Sequence, residues 1–147
     1  MSGTEDGVRI TSDPAEIDVA AVHAFLTASY WSPGIPRAVV EKAIAGSIPF
    51  ALLRGGATIG FARVITDRAT FAYLADVYVL AEHRGRGLGH RLIAAVMAHP
   101  DLASLRRFVL VTRDAHSLYA DFGFRPLAAA ARYMERVKDA AELHAGS

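Results

Sequence analysis

Residues 77–92 read Val-Tyr-Val-Leu-Ala-Glu-His-Arg-Gly-Arg-Gly-Leu-Gly-His-Arg-Leu. The pattern predicts a short apolar strand, a glycine-rich turn and the opening of a helix whose Leu88, Leu92, Ile93, Val96 and Met97 share one face. At such a helix start the first N–H groups lack intrahelical partners and the macrodipole is positive. A phosphate can bind there if glycines let it reach the main chain. Arg84 and Arg86 add charge at the same spot. Spacing separates the phosphate loops this could be. A Walker A loop needs Lys and then Ser or Thr after its last glycine, but Gly89 is followed by His90 and Arg91. The dinucleotide fingerprint needs a glycine at 90 or 92, where His and Leu stand. What remains is R-x-x-G-x-G, filled by Arg84, Gly87 and Gly89 after a strand ending in Val79, or else a plain glycine-rich connection with two solvated arginines.

This loop resembles the acyl-coenzyme A pyrophosphate loop of the GCN5-related N-acetyltransferases (GNAT). A second segment adds to the resemblance. Residues 112–124, Thr-Arg-Asp-Ala-His-Ser-Leu-Tyr-Ala-Asp-Phe-Gly-Phe, are similar to the family's N-x-x-A-x-x-L-Y pattern ending in G-F, with matches at Ala115, Leu118, Tyr119, Gly123 and Phe124. The two motifs stand in the family's order and span roughly the C-terminal half of the chain. The resemblance implies the GNAT fold, an α/β (α+β) architecture with a mixed, mostly antiparallel sheet flanked by helices. It also implies acetyl-CoA as the acetyl-donor substrate.

Composition narrows the alternatives. With 147 residues, 52% of them hydrophobic, the chain can bury one sizeable core, and a single domain over residues 1–147 is expected. The formal charge is +1 and no run of five Lys/Arg occurs, so no nucleic-acid or membrane-surface partner is expected. No apolar run reaches the roughly 18 residues of a membrane helix, and the first ten residues lack the pattern of a signal peptide, which makes a cytoplasmic location the default expectation. There are no cysteines, so an acetyl group cannot be held on a thiol. The six histidines show no metal-ligand spacing, and no metal is expected.

Several elements must position these motifs. A strand is expected over 7–11 and a helix capped by Asp18, with Val19, Ala21, Val22, Phe25 and Leu26 at helical spacing. A turn-rich link over 30–35 leads to a second helix that starts at Pro36 and stops at Gly46. Strands over 50–53 and 57–65 join at Gly55-Gly56, and a third over 69–80 completes an antiparallel meander. The loop and helix over 87–98 follow. A strand over 108–112, apolar throughout, is expected to be buried on both faces. Asp114 is expected to cap a helix that runs through Phe122, and 132–136 to form a final strand. The order β, α, α, β, β, β, α, β, α, β is that of the acetyltransferase fold.

By the resemblance, main-chain groups of Val77, Tyr78 and Val79 pair with the pantetheine arm, and Arg84, Gly85, Arg86, Gly87, Leu88 and Gly89 hold the pyrophosphate. Ala81 stands where the family often has Pro, and Thr112 where it commonly has an Asn contacting the cofactor arm. Acetyl transfer also needs a proton for the departing thiolate. Tyr119 is the candidate acid, because a phenol can donate to a thiolate sulfur. The position where some members carry a glutamate base holds Ala75, which leaves the neighbouring Asp76 as a candidate base or as the partner of an arginine. Tyr30, Trp31, Arg63 and Tyr73 are candidates for acceptor binding. Arg63 is the lone charge on the apolar face Ile59, Phe61, Arg63, Ile65 and needs an anionic partner: Asp67, Asp76 or a substrate carboxylate.

The expected function is N-acetylation of a small molecule or amino acid by direct transfer in a ternary complex. A protein N-terminus or lysine as acceptor, and a catalytically silent acyl-CoA-binding module, are the alternatives. Without a strong base the easier amine is favoured: neutralising a lysine-like amine at pH 7 costs about 4.6 kcal/mol, against roughly 1 for an α-amine. The acceptor, the acyl length and the oligomeric state, monomer or homodimer, stay open.

Overall fold

A computed structural model describes residues 7–144. Five strands form one sheet in the order β1-β2-β3-β4-β5: β1 (Val8–Thr11), β2 (Ile48–Arg54), β3 (Ala57–Thr66), β4 (Phe71–Val79) and β5 (Arg107–Leu110). The first four pair antiparallel and β5 joins β4 parallel. Gly55 and Gly56, at φ +57° and +84°, make the β2–β3 turn, since both central positions of such a hairpin need positive φ.

Helices cover both faces. The Asp18 carboxylate accepts the Ala21 N–H at 3.1 Å and starts α1 (Val19–Leu26). Pro36 precedes α2 (Arg37–Ala45), which Gly46 ends. These two helices bury Val22, Leu26, Val40 and Ile44 against Phe61 and Tyr78. On the other face α3 (Leu88–Ala98) buries Leu88, Leu92, Ile93 and Val96 against Phe50, Leu52, Val64 and Leu74. Each such side chain, removed from water, contributes roughly 1.5–3 kcal/mol.

Two register shifts decide which face each residue reaches. Between β2 and β3 the register slips at Leu52/Leu53, so Ile59 joins the α3 core while Phe61 joins the α1/α2 core. The expected common face of Ile59, Phe61, Arg63 and Ile65 is thereby broken at its first member. Between β3 and β4, Phe61 faces Tyr78 and Arg63 faces Ala75, so β4 carries one extra residue. Asp76 lies in that bulge at φ +56°. Ahead of it Ala72 and Leu74 belong to the α3 core, and beyond it Val77 and Val79 pack there instead.

Elsewhere the chain departs from expectation for local reasons. Residues 69–70 are outside β4 because the Asp67 carboxylate accepts N–H groups of Ala69, Thr70 and Phe71 together with the Thr70 hydroxyl. Those bonds hold the Asp67 carboxyl far below the usual range. β5 is half-buried rather than enclosed, because no strand lies beyond it among the described residues, and Val111 is 81% exposed. The next helix is only α4 (His116–Ala120), and the Thr112 hydroxyl, rather than Asp114, accepts the Ala115 N–H at 3.0 Å. The expected last strand is absent among the described residues. A 3₁₀ turn (Ala130–Arg132) leads into exposed chain where Met134 and Val137 meet no core, and Tyr133 accepts a hydrogen bond from the Arg107 guanidinium. A short α5 (Ala140–His144) follows. No helix among the described residues is long and apolar enough to cross a membrane.

Gly60 lies beside the first register shift. A Cβ built there would come 2.6 Å from Leu52 Cδ1 and 3.0 Å from the Tyr78 carbonyl oxygen. Leu52 is fully buried and the carbonyl is fixed backbone, so neither has room to retreat. Gly60→Ala is expected to destabilise by about 1–3 kcal/mol, the usual cost of overpacking. At about 2–4 °C per kcal/mol for a chain of this size, differential scanning calorimetry should read a melting point several degrees lower.

Candidate active site

β4 and β5 part company. Their last paired residues are Leu74 and Leu110, so the edge of β4 from Ala75 onward has no β5 neighbour. A cavity of about 880 Å³ opens at this parting. Val77, Arg84, Thr112, Tyr119, Tyr30, Trp31, Arg63, Tyr73 and Asp76 line it together, whereas Tyr78, Val79 and residues 85–89 are not among its lining residues. Candidates chosen from distant parts of the chain thus converge on one space.

Along the open β4 edge the main chain supplies most of the polar groups. The Leu80 N–H donates to the Ile59 carbonyl at 2.8 Å, which fixes the alternation of this ladder. Tyr78 then turns its peptide groups toward β3, while Val77 and Val79 turn theirs to the open edge. Tyr78 therefore drops out of the main-chain set. Its ring stacks on Phe25 at 3.7 Å in the α1/α2 core, and burial first, then the charges of Asp18 and Asp76, push its phenol well above the usual range. The Val79 carbonyl accepts from Arg84 Nε at 2.8 Å, which seats Arg84 along the parting.

A single 3₁₀ turn (Ala81–His83) carries the chain into the glycine loop. Gly87 is the N-cap of α3 at φ +73°, a left-handed conformation that strains residues with a Cβ, and no side chain caps the helix. Its first N–H groups are left for an outside acceptor. Arg86 is exposed beside them. Leu88 is buried in the core, so it anchors the loop and can meet a ligand only through its backbone. Gly89 has space around it: a Cβ there would find only Leu118 Cδ2, at 3.8 Å. An open glycine cradle, uncapped N–H groups and two arginines fit a diphosphate, and the unpaired β4 edge fits an amide-bearing arm.

Tyr119 belongs to both the core and the cavity. It is 7% exposed and its ring meets Phe124 edge-on at 6.1 Å, yet its hydroxyl has no protein partner among the described residues and is not sealed from the cavity it lines. Burial, with the nearby Tyr30 as a smaller cause, pushes the phenol above its ordinary value, so it stays protonated at neutral pH. Thr112 spends its hydroxyl lone pair on the Ala115 N–H and so shapes the turn that presents Tyr119.

Asp76 is more committed than the sequence indicates. Its Oδ1 accepts from Trp31 Nε1 at 2.8 Å and its Oδ2 from Arg63 Nε at 2.6 Å. Arg63 also donates to Ser47 Oγ at 3.1 Å, and Ser47 in turn donates to the Ala43 carbonyl at 2.7 Å. The side chains of Arg63 and Asp76 are only 18% and 10% exposed. Of the partners open to Arg63, Asp67 is spent on its own turn and Asp76 takes the role. Both carboxylate oxygens are thus engaged, and Asp76 ties Trp31 to the sheet.

Ser47, Phe25 and Arg113 were not singled out from the sequence, although all three serve the site. Arg113 Cζ sits 3.9 Å from the Tyr30 ring centroid, across the cavity mouth. Its place within the second signature was the one available signal.

Comparison with known proteins identifies the family. The Acetyltransferase (GNAT) domain profile matches residues 45–126. "Putative acetyltransferase FG08082" of Gibberella zeae is 31% identical over 131 aligned residues, covering 75% of this chain and 74% of that protein. A solved GNAT-family structure from Xanthomonas campestris pv. campestris superposes with a TM-score of 0.88 at 48% identity, over 90% of this chain and 94% of that one. The fold extends to glucosamine-6-phosphate N-acetyltransferase of Arabidopsis thaliana, with a TM-score of 0.64 at 12% identity over 90% of this chain and 99% of that one. With both signatures placed around one cleft, the chain belongs to the GNAT family of acetyltransferases.

Proposed function

We propose that the protein transfers the acetyl group of acetyl-CoA directly to the neutral amine of a small molecule bound between Tyr30, Trp31, Arg63 and Tyr73. The observation that carries this reading is the unpartnered Tyr119 hydroxyl at the parting of β4 and β5. In the proposed step the amine lone pair attacks the thioester carbon and the C–S bond breaks. The thiolate takes the Tyr119 proton, and the proton released from the new amide nitrogen returns to Tyr119 through water. The open N–H groups at Val77 and Val79 are suited to hold the thioester oxygen as charge develops there. With no cysteine in the chain, no thiol intervenes.

Two features support a small acceptor with a readily neutralised amine. The acceptor end is walled by Tyr30 and Trp31, whose rings meet edge-on at 5.1 Å. Asp76 is committed to Trp31 and Arg63, and Asp114, the other carboxylate lining the cavity, is exposed to water at the rim. Neither offers a buried base. The direct test is coenzyme A release with acetyl-CoA and a panel of small amines, amino acids and peptides. Release confined to peptides and lysine-bearing proteins would overturn the small-acceptor reading.

Tyr119→Phe keeps the ring in the core and removes only the proton and its hydrogen bond. Turnover is expected to fall about 10²- to 10⁴-fold, roughly 3–5 kcal/mol in the barrier, with acetyl-CoA affinity little changed. Because the phenol is raised, the wild-type rate should hold on the alkaline side up to at least the ordinary tyrosine pKa of about 10. Stopped-flow turnover with calorimetric affinity reads both, and preserved turnover would remove Tyr119 from the reaction.

Gly89→Ala separates binding from folding. Within a helix the change favours stability by up to about 1 kcal/mol, and the new methyl meets nothing closer than ordinary contact. Acetyl-CoA affinity is nevertheless expected to drop several-fold, because the Cβ lies where phosphate oxygens approach. A lower melting point with unchanged affinity would contradict this placement.

Asp76→Asn keeps the shape and the Trp31 acceptor but leaves Arg63 without its counter-charge. A loss of about 2–4 kcal/mol is expected in urea unfolding, somewhat under the figure for a fully buried pair. Were Asp76 a general base, turnover would instead collapse with stability intact.

A further inference from the structure

The charges lining the cavity are compensated unevenly. Arg63 is paired with Asp76, and Arg84 is seated on the Val79 carbonyl at the donor end. Arg113 and Asp114 remain, side by side on the turn after β5, and neither makes an ion pair among the described residues. Arg113 is held all the same. Its Cζ stands 3.9 Å from the centroid of the Tyr30 ring, closer than a loose cation–π contact needs. Contact over the ring uses the guanidinium face and leaves the N–H groups at its edge. None of them makes a hydrogen bond among the described residues.

Tyr30 comes from the link between α1 and α2 and is 60% exposed, whereas Arg113 comes from the β5–α4 turn. Their contact therefore spans the mouth of the cavity. An unconstrained surface arginine loses much of its rotamer freedom on binding, but one already resting on an aromatic face loses less. A pre-oriented fork of donors at the entrance of an amine site suits a planar or tetrahedral anion. Asp114 on the same rim offers opposite charge to the ammonium form of an arriving amine.

We propose that the Arg113–Tyr30 stack is an anion subsite, so that the acceptor is an amine bearing a carboxylate or a phosphate. This rests on the acetyl-transfer reading above and narrows its substrate class. Carboxylate and phosphate share the chemistry the fork recognises, and matched probes separate them.

The test compares phenylalanine with phenylalaninamide, and phosphoethanolamine with ethanolamine, using the whole protein. For the preferred anion, kcat/KM should exceed that of its neutral partner by about 10- to 100-fold, the range of one charge-assisted contact. The pair with the larger ratio names the anion. Arg113→Gln should bring that ratio close to one, Arg113→Lys should keep part of it, and Tyr30→Phe, which retains the ring, should keep most of it. A wild-type ratio near one, or the same ratio in Arg113→Gln, overturns the subsite while leaving acetyl transfer standing. A second readout does not need turnover. Trp31 is the sole tryptophan and touches Tyr30, so its fluorescence reports on ligands at the stack with coenzyme A present. If no amine is acetylated, quenching by the anionic probes that Arg113→Gln abolishes upholds the subsite and overturns only the transfer reading. Quenching absent, or unchanged in Arg113→Gln, overturns the subsite.

Discussion

One extra residue in β4 underlies the arrangement of the site. Asp76 occupies the bulge between the Phe61–Tyr78 and Arg63–Ala75 pairs in a left-handed conformation, which costs a residue with a Cβ roughly 1–2 kcal/mol. Its two charge-assisted or polar bonds, to Arg63 and Trp31, are each of a size to offset that. The consequences reach further than the pair. The bulge exchanges the faces of the residues around it, so that Leu74 and Val77 both serve the α3 core although their numbers differ by an odd step. A bulge also adds local twist and bend. β4 follows β5 only as far as Leu74, immediately before the bulge, and the two then separate to open the cavity.

The groups around this cleft are built from different materials. Along the β4 edge and the glycine loop the contacts offered are peptide groups, uncapped N–H groups of α3 and the space around its glycines. The cavity itself is walled by side chains from the α1–α2 link, the bulge and the β5–α4 turn, tied by Trp31 to Asp76 and by Arg113 to Tyr30. Tyr119 stands where the two meet, with its ring in the α3 core and its hydroxyl at the parting. The packing that stabilises one face of the sheet therefore also fixes where the Tyr119 hydroxyl lies.

Legibility in the sequence follows the same division. The glycine loop could be read because few residues tolerate its backbone and spacing, and the caps at Asp18 and Gly46 could be read because they act on adjacent residues. The bulge could not. Residues 71–79 are apolar at nearly every position because both faces of β4 are covered, so no alternation exists whose break would mark the extra residue. The same ambiguity placed Ile59 on the wrong face. Residues 108–112 looked doubly buried from their apolar run alone, whereas burial depends on a neighbour beyond β5 that the described residues do not supply. Arg63 announced that it needed a partner, but choosing between Asp67 and Asp76 required knowing that the Asp67 turn had already used its carboxylate.

This division has a consequence for how such a scaffold changes function. A loop that offers only backbone N–H groups constrains the sequence just where a side chain would intrude, so it tolerates wide divergence around a few glycines. The side-chain wall of the cavity answers to no such backbone requirement except the bulge. Tyr30 and Arg113 lie on connections and belong to neither core, so substitutions there alter the cavity without disturbing the packing. Trp31 is tied in twice, because it packs against the α1/α2 core and its bond to Asp76 links the cavity wall to the residue that holds the bulge. Reshaping the cavity through Tyr30 or Arg113 thus leaves both cores as they are, whereas a change at Trp31 must refill the α1/α2 core and find Asp76 another donor.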